Sequence, residues 1–531
     1  MQKYLKPNVA IEPLFCSWYL WSYLVPPHTA GFFLKNRYLK TLQSFIEEPE
    51  LHRLAAKNSK LAGGQFIDID DNGLAQIKSL VREIENKTSQ LLSLTSDIEQ
   101  LDSTLQRSSE GGSLESLYKL VPDSLRGCIE LVYDQNNHSK INFFEKILYD
   151  KYFDTSLQSV ILTPLQCDLR KFVLATPRTA LPDELILPLP YNSELLSKIV
   201  QSRTAGINLD ELEKELSVDK NTRPLLEQMF TDTPTNTSTS STYQDNGIRV
   251  RYFGHACIMI QTKEICILID PLISYFQPDN EFERFTLDDL PEKIDLVLFT
   301  HNHLDHISFE TLLFLKHRVA RFVFQRSAGG TLINPDVKII LSTLGFNNII
   351  PLDSMEEMQL PNGRLFTFPF LGEHGDLDIQ SKSAFYIELH GHKLFFAADS
   401  NNLDNMLYEY LHQMVGDIDT VFIGMECVGG PLDWIYGPLL SKTIKHTHKQ
   451  SRRYSGSNSI KALELVETLK AKEVFVYAMG QEAWLSHITS LNYQTTSPQI
   501  IESDKFIAEC SQKALPCKRL YGKDEWHYKT N

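Results

Sequence analysis

The segment FTHNHLDHISF, residues 299 to 309, constrains this chain most, because it concentrates four candidate metal ligands in six consecutive positions. These ligands are His301, His303, Asp305 and His306. An apolar run typical of a buried strand precedes them at 295 to 299, and a helical pattern follows at 309 to 318. We therefore predict a strand-to-helix loop in which several side chains converge on one point.

These residue types indicate a metal site rather than a solvated loop. Imidazoles suit zinc, iron, copper and nickel, whereas a carboxylate beside them favours harder or more oxidised ions. A solvated loop rarely holds three of a protein's 16 histidines. The pattern His-x-His-x-Asp-His supplies enough donors for two metal ions.

The second half of the chain alternates β-rich runs with helical patterns, which is typical of an α/β fold or a layered αββα fold. The predicted strands cover 248–262, 264–270, 294–300, 321–325, 337–341, 364–370, 383–399, 420–424 and 473–478. The intervening helical patterns lie at 309 to 318 and 459 to 471.

The first half is expected to be a mixed domain that contains one long helix. Residues 72 to 106 carry apolar side chains at an alternating spacing of three and four, the pattern of an amphipathic helix. Asp71 and Asn72 stand where an N-cap would be. The spacing does not say whether the apolar stripe is covered by its own domain or by a second subunit, so a homodimer is one of two expectations.

A polar segment, TDTPTNTSTSSTYQDNG, separates the two halves at 231 to 247. A chain of 531 residues is too long for one compact core of the usual domain size. We expect an N-terminal domain over 1–230 with a dimerisation or substrate-shaping role, a linker over 231–247, and a catalytic domain over 248–531.

Composition argues against several classes of protein. The hydrophobic fraction of 42% is ordinary, and no stretch approaches the roughly 20 apolar residues of a membrane span. The most apolar candidate, 13 to 27, ends in two prolines and is predicted to be buried in a cytoplasmic protein. A net charge of −15 argues against nucleic-acid binding, and eight cysteines without CxxC pairing are expected to be free thiols.

With GHACIMI and the ICILIDP strand before it, the histidine motif resembles the metallo-β-lactamase superfamily over roughly 246 to 500. That resemblance implies an αββα sandwich with a dinuclear site on one edge. The resemblance implies that His301 and His303 are ligands of one metal and that Asp305 and His306 are ligands of the other. Asp399, which closes KLFFAADS, would bridge the two metals. From the residues alone, Asp399 is also a candidate N-cap for a following helix.

The segment FPFLGEHGDLDI, 368 to 379, departs from typical hydrolases of the superfamily, which provide a histidine before the bridging aspartate. Both Glu373 and His374 are available here. Glu373 as a ligand makes the site harder and moves the expected metal from zinc towards iron, whereas His374 keeps an ordinary zinc site. The residues leave this choice open.

Several segments resemble a narrower family, the metallo-β-lactamase-fold diiron monooxygenases, which includes the β-hydroxylase of chloramphenicol biosynthesis. These segments are GEHGDL, AADS, MECVGGPLDWIYGPL, SRRYSGSNS and VYAMGQEAW, and the likeness extends over nearly the whole chain. It implies hydroxylation of an amino acid held as a thioester on a carrier domain of a nonribosomal peptide synthetase. It also implies two iron ions, O₂ as co-substrate, and an external electron donor such as a reductase or ferredoxin.

The family resemblance implies a set of six iron ligands, of which Glu373 and Asp399 are also the catalytic candidates. The six are His301, His303, Asp305, His306, Glu373 and Asp399. Three further histidines are candidates for an additional ligand or for a residue that supports a ligand. These are His255, His374 and His487.

A basic stretch is the candidate surface for an acidic carrier domain, with a solvated loop as the alternative. Its basic residues are Lys442, Lys445, Lys449, Arg452 and Arg453. Three aromatic residues are expected either to line a substrate pocket or to belong to the core. They are Trp434, Tyr436 and Trp484. The competing function is a dinuclear zinc hydrolase that acts on a phosphodiester, lactone, thioester or amide.

Overall fold

A computed structural model describes residues 2–70, 73–108, 111–220, 222–234, 242–277, 282–442 and 455–529. The first half, up to residue 230, combines helices with three small sheets. Its strands are β1 (Gln2–Leu5), β2 (Val9–Phe15), β3 (Trp18–Tyr19), β4 (Ile129–Tyr133), β5 (Ser139–Phe143), β6 (Gln158–Pro164), β7 (Leu185–Leu187), β8 (Ile207–Asn208) and β9 (Phe230–Thr231). The sheets have the orders β8-β1-β9, β3-β2-β6-β7 and β4-β5.

Nine α-helices are described in the same half. They are α1 (Pro27–Phe33), α2 (Leu39–Glu47), α3 (Pro49–Ala56), α4 (Leu74–Lys87), α5 (Ser89–Ser108), α6 (Glu145–Tyr152), α7 (Glu194–Ala205), α8 (Leu209–Leu216) and α9 (Arg223–Gln228). A π-turn over Leu34–Tyr38 joins α1 to α2.

The second half contains two seven-stranded sheets packed face to face. The strands of the first sheet are β10 (Ile248–Tyr252), β11 (Ile258–Gln261), β12 (Cys266–Ile269), β13 (Ile294–Phe299), β14 (Val319–Gln325), β15 (Ile349–Leu352) and β23 (Asp524–Tyr528). Those of the second are β16 (Glu357–Leu360), β17 (Gly363–Phe368), β18 (Ala384–Leu389), β19 (His392–Phe396), β20 (Thr420–Gly424), β21 (Glu473–Tyr477) and β22 (Cys517–Arg519). The orders are β15-β14-β13-β12-β11-β10-β23 and β16 through β22 in sequence.

Helices cover the outer faces of this pair of sheets. They are α10 (Phe309–Leu315), α11 (Val337–Thr343), α12 (Met406–Val415), α13 (Ser459–Thr468), α14 (Ser486–Thr489) and α15 (Pro498–Gln512). Ile267, Leu296 and Phe385 are buried between the sheets. The expected αββα sandwich is therefore confirmed.

The first half packs on the outer face of the first sheet. Trp18 and Leu94 from the first half belong to the same buried cluster as Phe299 and Leu312 from the second. Strands β12, β13 and β14 run parallel, as do β19, β20 and β21, so their carboxyl ends gather along one edge of the sandwich. That edge carries the site described below.

The long helix expected over 72 to 106 is two helices, α4 and α5, that meet at Thr88. The Thr88 hydroxyl donates to the Ile84 carbonyl at 2.7 Å, a bond to the preceding turn that bends helices. The apolar stripe is buried within its own chain, because α5 lies against α1 at Gly31. A Cβ at Gly31 would come 2.8 Å from the Leu91 carbonyl oxygen. Asn72, expected at the N-cap, lies outside the described residues.

The expected strand at 337 to 341 is wrong, because these residues form helix α11. The Asp336 carboxylate accepts hydrogen bonds from the main-chain N–H groups of Lys338 and Ile339, which caps the helix. Val337, Ile340 and Leu341 are buried at helical spacing. The cap and this burial override the strand preference of β-branched residues.

Two other predicted strands each contain a tight turn. The run at 248 to 262 is the antiparallel pair β10 and β11, and the run at 383 to 399 is the pair β18 and β19. Residues 235–241 of the polar segment lie outside the described residues. The apolar run at 13 to 27 is buried, as expected, and no described helix has the length and apolar character to cross a membrane.

Candidate metal centre

The loop after β13 brings three histidine rings and one aspartate, Asp305, into one cluster. His301 and His306 have ring centroids 3.9 Å apart, and those of His301 and His303 are 4.7 Å apart. Ser308 caps the helix that follows, because its hydroxyl accepts from the Thr311 N–H at 3.3 Å. The strand and the capped helix therefore fix both ends of the loop.

His301 and His306 are each oriented by a hydrogen-bond partner on one ring nitrogen. The Thr300 hydroxyl lies 3.0 Å from His301 Nδ1, and His301 Nε2 is buried with no hydrogen-bond partner among the described residues. Asp270 Oδ2 lies 2.8 Å from His306 Nδ1, which leaves His306 Nε2 3.1 Å from Asp399 Oδ2. A carboxylate behind a histidine fixes the ring of a metal ligand in this way.

Asp270 and Thr300 were not among the predicted site residues. Asp270 follows β12 and accepts a hydrogen bond from the Thr300 N–H at 2.7 Å. It closes the apolar run ICILID much as Asp399 closes KLFFAAD, and this similarity was the available signal.

His303 is oriented from the opposite side by Tyr436. The Tyr436 hydroxyl lies 3.0 Å from His303 Nε2, and His303 Nδ1 lies 3.0 Å from Glu373 Oε1. The same hydroxyl lies 2.6 Å from His374 Nδ1. Tyr436 thus touches the two rings rather than lining an open pocket.

Glu373, and not His374, joins the described groups of candidate ligand atoms. The Glu373 carboxylate lies with His301 and His303 in a group whose ligand atoms are all within 4.8 Å of one another, whereas His374 is in no such group. Residues 372 to 376 all have positive φ, with Glu373 at 54° and His374 at 48°. This backbone conformation is costly for residues other than glycine, and here it turns the Glu373 side chain towards the cluster.

Asp399 lies between the two parts of the cluster. Its Oδ2 atom is 3.1 Å from His306 Nε2 and 3.7 Å from His301 Nε2, and its Oδ1 atom is buried with no hydrogen-bond partner among the described residues. It does not cap a helix, because α12 begins only at Met406 with Asn405 as its N-cap.

His255 lies beside Asp305 at the far end of the cluster. Its Nε2 atom is 3.2 Å from Asp305 Oδ2, and its Nδ1 atom accepts a hydrogen bond from the Gly480 N–H at 3.1 Å. Because Nδ1 accepts, a neutral ring carries its proton on Nε2, which faces the Asp305 carboxylate. This arrangement favours a residue that supports Asp305 over a metal ligand.

The electrostatics of the cluster favour positive charge at its centre. Burial by itself lowers the pKa of His306, but Asp399, Asp270 and Asp305 together raise that pKa well above its ordinary value. Burial by itself raises the pKa of Asp305, but His306 and His255 lower that pKa below its ordinary range. Burial also raises the pKa of Glu373.

Burial lowers the pKa values of two further rings, His301 and His374, well below the ordinary range, and neighbouring histidines add to the effect. Within the described chain, the carboxylates of Asp270, Asp305, Asp399 and Glu373 have only histidines at ion-pair distance. Buried carboxylates without cationic side chains are costly, so this donor set fits bound metal cations.

Three overlapping groups of candidate ligand atoms extend across the cluster. They are His301, His303 and Glu373; His301, His306 and Asp399; and His255, Asp305 and His306. The shared residues, His301 and His306, make the arrangement fit two adjacent ions rather than one. Histidine mixed with carboxylate matches the ligand preferences of iron better than those of structural zinc.

Several predicted site residues lie elsewhere. His487 is buried near Glu310, with Nε2 3.9 Å from Glu310 Oε2, and belongs to none of the groups of candidate ligands. Trp484 is buried against Arg284, whose guanidinium carbon lies 4.8 Å from the ring centroid. The residues Lys445, Lys449, Arg452 and Arg453 of the basic stretch lie outside the described residues.

A cavity of about 1010 Å³, counted with its open mouth, leads to the cluster. Its inner end is formed by His303, Asp305, Glu373 and Asp399. Its walls include Trp21, Phe172, Leu174, Trp434, Ile435 and Ile488. The predicted pocket residue Trp434 therefore does line the cavity, and the walls come from both halves of the chain.

The fold and the cluster define a metallo-β-lactamase-type protein with a dinuclear centre of histidine and carboxylate side chains. Two family models match the chain. The N-terminal domain of diiron non-heme beta-hydroxylases matches residues 4–234, and the beta-lactamase superfamily domain matches residues 266–475.

A curated relative matches the chain over nearly its full length. It is the 3-hydroxylase of Streptomyces venezuelae that acts on 4-amino-L-phenylalanyl bound to the peptidyl carrier protein CmlP, and it is 35% identical over 529 residues, which cover 98% of this chain and 99% of the relative. The crystal structure of CmlA, a diiron beta-hydroxylase from the same organism, matches with a TM-score of 0.93 and 33% identity over 99% of this chain and 100% of that chain. A mutant of that hydroxylase matches with a TM-score of 0.91.

The chain belongs to the family of diiron non-heme beta-hydroxylases. It is a hydroxylase, and the resemblance drawn from its sequence is confirmed. The alternative of a dinuclear zinc hydrolase is not supported, because the match to the hydroxylase covers both halves of the chain.

Proposed function

We propose that this protein hydroxylates the β-carbon of an amino acid held as a thioester on the phosphopantetheine arm of a synthetase carrier domain. The observation that carries the proposal is the orientation of Glu373 towards the cluster, which completes a mixed set of histidine and carboxylate donors. The relative that matches over nearly the full length acts on a carrier-bound aminoacyl group.

In this proposal, each half of the cluster holds one iron ion. His301, His303 and Glu373 would hold the first. Asp305 and His306 would hold the second, and Asp399, which is close to both His301 and His306, would be available to either ion. When bound, a diiron pair with such ligands supplies the O₂ chemistry that oxidises a C–H bond.

The chain itself orients the ligands and the substrate. Asp270 and Tyr436 hold the rings of His306 and His303, so that each presents one fixed nitrogen to the centre. The apolar walls that include Phe172 and Ile488 exclude water and offer a surface for an apolar amino acid side chain. These roles account for positioning and for the dry environment that oxidation of a C–H bond requires.

The carrier domain is proposed to dock near the mouth of the cavity. Lys442 is exposed and lines a groove together with Arg37 and Lys40, and the segment that contains Trp434 separates this groove from the cavity. Arg452 and Arg453, which follow Lys442 in the sequence but lie outside the described residues, are proposed to contribute positive charge for an acidic carrier. Reversal of both arginines to glutamate should raise the KM for the carrier, and unchanged turnover would contradict the docking proposal.

Metal content and isotope labelling test the hydroxylase proposal directly. Protein prepared anaerobically with iron available should contain two iron ions per chain. In the presence of a reductant and labelled O₂, it should place one labelled oxygen atom in the carrier-bound amino acid. Stoichiometric zinc together with hydrolytic release of the amino acid would overturn the proposal. The electron donor, a homodimer and a cytoplasmic location remain predictions.

A further inference from the structure

Lys382 is a half-buried lysine whose main chain lies beside the first ligand of the histidine loop. It stands two residues before β18, and it forms an antiparallel bridge with His301. The next N–H group, that of Ser383, donates to the Thr300 carbonyl at 2.7 Å. The backbone at Lys382 is therefore fixed against the loop that carries the histidine ligands.

The side chain of Lys382 contacts a second segment that carries a ligand. Its Nζ atom donates to the Gly372 carbonyl at 2.6 Å, directly before Glu373. The same atom lies 5.6 Å from the centroid of the buried Phe370 ring. An amino group that is partly removed from water needs such a hydrogen-bond acceptor. The main chain of Lys382 thus lies beside one ligand, while its amino group holds the carbonyl that precedes another.

The segment that contains Glu373 has a backbone conformation that must be held in place. Positive φ over 372 to 376 is costly and persists only where the surrounding structure fixes it. A side chain at Gly372 is excluded, because its Cβ would come 2.8 Å from Asn401 Cβ. The Asn401 N–H donates to the Leu371 carbonyl at 2.8 Å. Asn401 and Lys382 therefore hold the two carbonyls that immediately precede Glu373.

The contact between Lys382 and Gly372 does not depend on the charge of the lysine. Burial lowers the pKa of Lys382, and the carboxylates of Glu373 and Asp376 oppose that effect. An amino group donates hydrogen bonds in its neutral form as well as in its charged form. The lysine therefore acts here through the position of its donor.

We infer that Lys382 is a positioning residue for the first iron ion, the one that His301, His303 and Glu373 would hold. The inference rests on the proposed function, because it requires that this group of ligands binds iron. Lys382 is joined to His301 through its main chain and to the peptide before Glu373 through its side chain, so it keeps these two ligands at a fixed separation. Asp305 and His306, proposed for the second ion, both lie on one loop and do not require this link.

The test measures how each ion is lost when the iron-loaded full chain is titrated with a chelator. Lys382→Met keeps the length of the side chain but removes its donor. It should weaken the binding of one ion by roughly 10- to 100-fold, the effect typical of residues that support a ligand, and leave the other ion unchanged. The variant should therefore release one iron ion per chain at a chelator concentration at which the wild type retains two.

Lys316→Met is the matched control. Lys316 is also half-buried, donates to the Leu344 carbonyl at 2.9 Å, and has its Nζ atom 5.6 Å from the centroid of the Tyr191 ring. It follows the last turn of α10, whereas the metal loop precedes the first, so this variant should retain both ions.

Four results would overturn the inference. Lys382→Met could keep both ions as the wild type does, release both together, or fail to fold, or Lys316→Met could lose one ion as readily. A wild type that does not bind two iron ions would instead reject the proposed function itself.

Discussion

Two buried clusters of charge meet at helix α10, and they are neutralised in different ways. The metal centre lies in the loop before the helix. The second cluster, here called the ion network, joins the two halves of the chain through Glu310 on the helix. Its members are Glu12, Arg170, Arg178, Glu184 and Glu310.

In the ion network, arginine side chains form salt bridges with the carboxylates. Arg170 makes two bonds to Glu310, at 2.8 and 2.7 Å, and Arg178 Nε lies 2.6 Å from Glu12 Oε2. In the metal centre, the carboxylates have only histidines at ion-pair distance among the described residues. The ion network is therefore complete when the chain folds, whereas the metal centre requires cations from solution.

The largest expected effect is the loss of a metal ligand. Glu373→Ala should lose iron, and hydroxylation should fall beyond the roughly 10- to 100-fold typical of residues that only support a ligand. His374→Ala is the matched variant and should retain both ions, since His374 Nδ1 contacts Tyr436 rather than the centre. Iron analysis and turnover measure both variants. Loss of iron from the histidine variant alone would reverse the ligand assignment.

Loss of one arginine from the ion network should lower the stability of the protein without changing its metal content. Arg170→Met leaves Glu12 and Glu310 buried with less compensation, which should lower the free energy of unfolding by about 3–5 kcal/mol. Arg126→Met removes the exposed pair with Asp123 and should change stability by less than about 1 kcal/mol. Urea unfolding measures both. Equal midpoints for the two variants would show that the network does not stabilise the junction.

Glu145 is a further buried carboxylate, and no guanidinium group among the described residues lies at ion-pair distance from it. Glu145 accepts from the N–H groups of Gly330 at 2.6 Å and Asp336 at 3.1 Å, and burial raises its pKa to about 7. The folded state therefore holds this proton at pH values where the unfolded state, with an ordinary pKa of 4.5, has released it. The free energy of unfolding should fall as the pH rises between these two values, by on the order of 3 kcal/mol.

Glu145→Gln tests this contribution, because the amide oxygen can still accept from Gly330 but carries no charge. The variant should lose that part of the pH dependence, so its stability relative to the wild type increases as the pH rises through the same interval. Glu130→Gln, at an exposed position on β4, is the control and should leave the pH dependence in place. Parallel pH profiles for the wild type and Glu145→Gln would contradict the prediction.

The smallest effect is expected from Asp270→Asn, which keeps a hydrogen bond to His306 but removes the charge behind its ring. Iron affinity should weaken by roughly 10- to 100-fold. A chelator titration measures the change. Asp295→Asn, at the start of the neighbouring strand β13, serves as the control. Equal iron retention in both variants would mean that the carboxylate of Asp270 does not contribute to iron affinity.

Local sequence predicted the parts of the site that lie in one loop or at a strand end. The metal motif is recognisable from the residues themselves, whereas Glu373 and Asp399 were implied as ligands by the family resemblance, and the structure brings all of them together. The sequence left Tyr436 open between a pocket residue and a core residue, because its contact with His303 spans 133 positions and depends on how distant segments pack. The strand expected at 337 to 341 was wrong because a single cap, Asp336, outweighed the preference of the run itself.

The cavity wall has a consequence for how such enzymes diversify. Trp21, Phe172 and Leu174 come from before the polar segment, whereas Ile435 and Ile488 come from after it. Recombination at that segment would join a metal centre to a wall shaped for another substrate. Two separated stretches of sequence therefore shape the cavity together. A chimera between two relatives would exchange about half of the cavity wall.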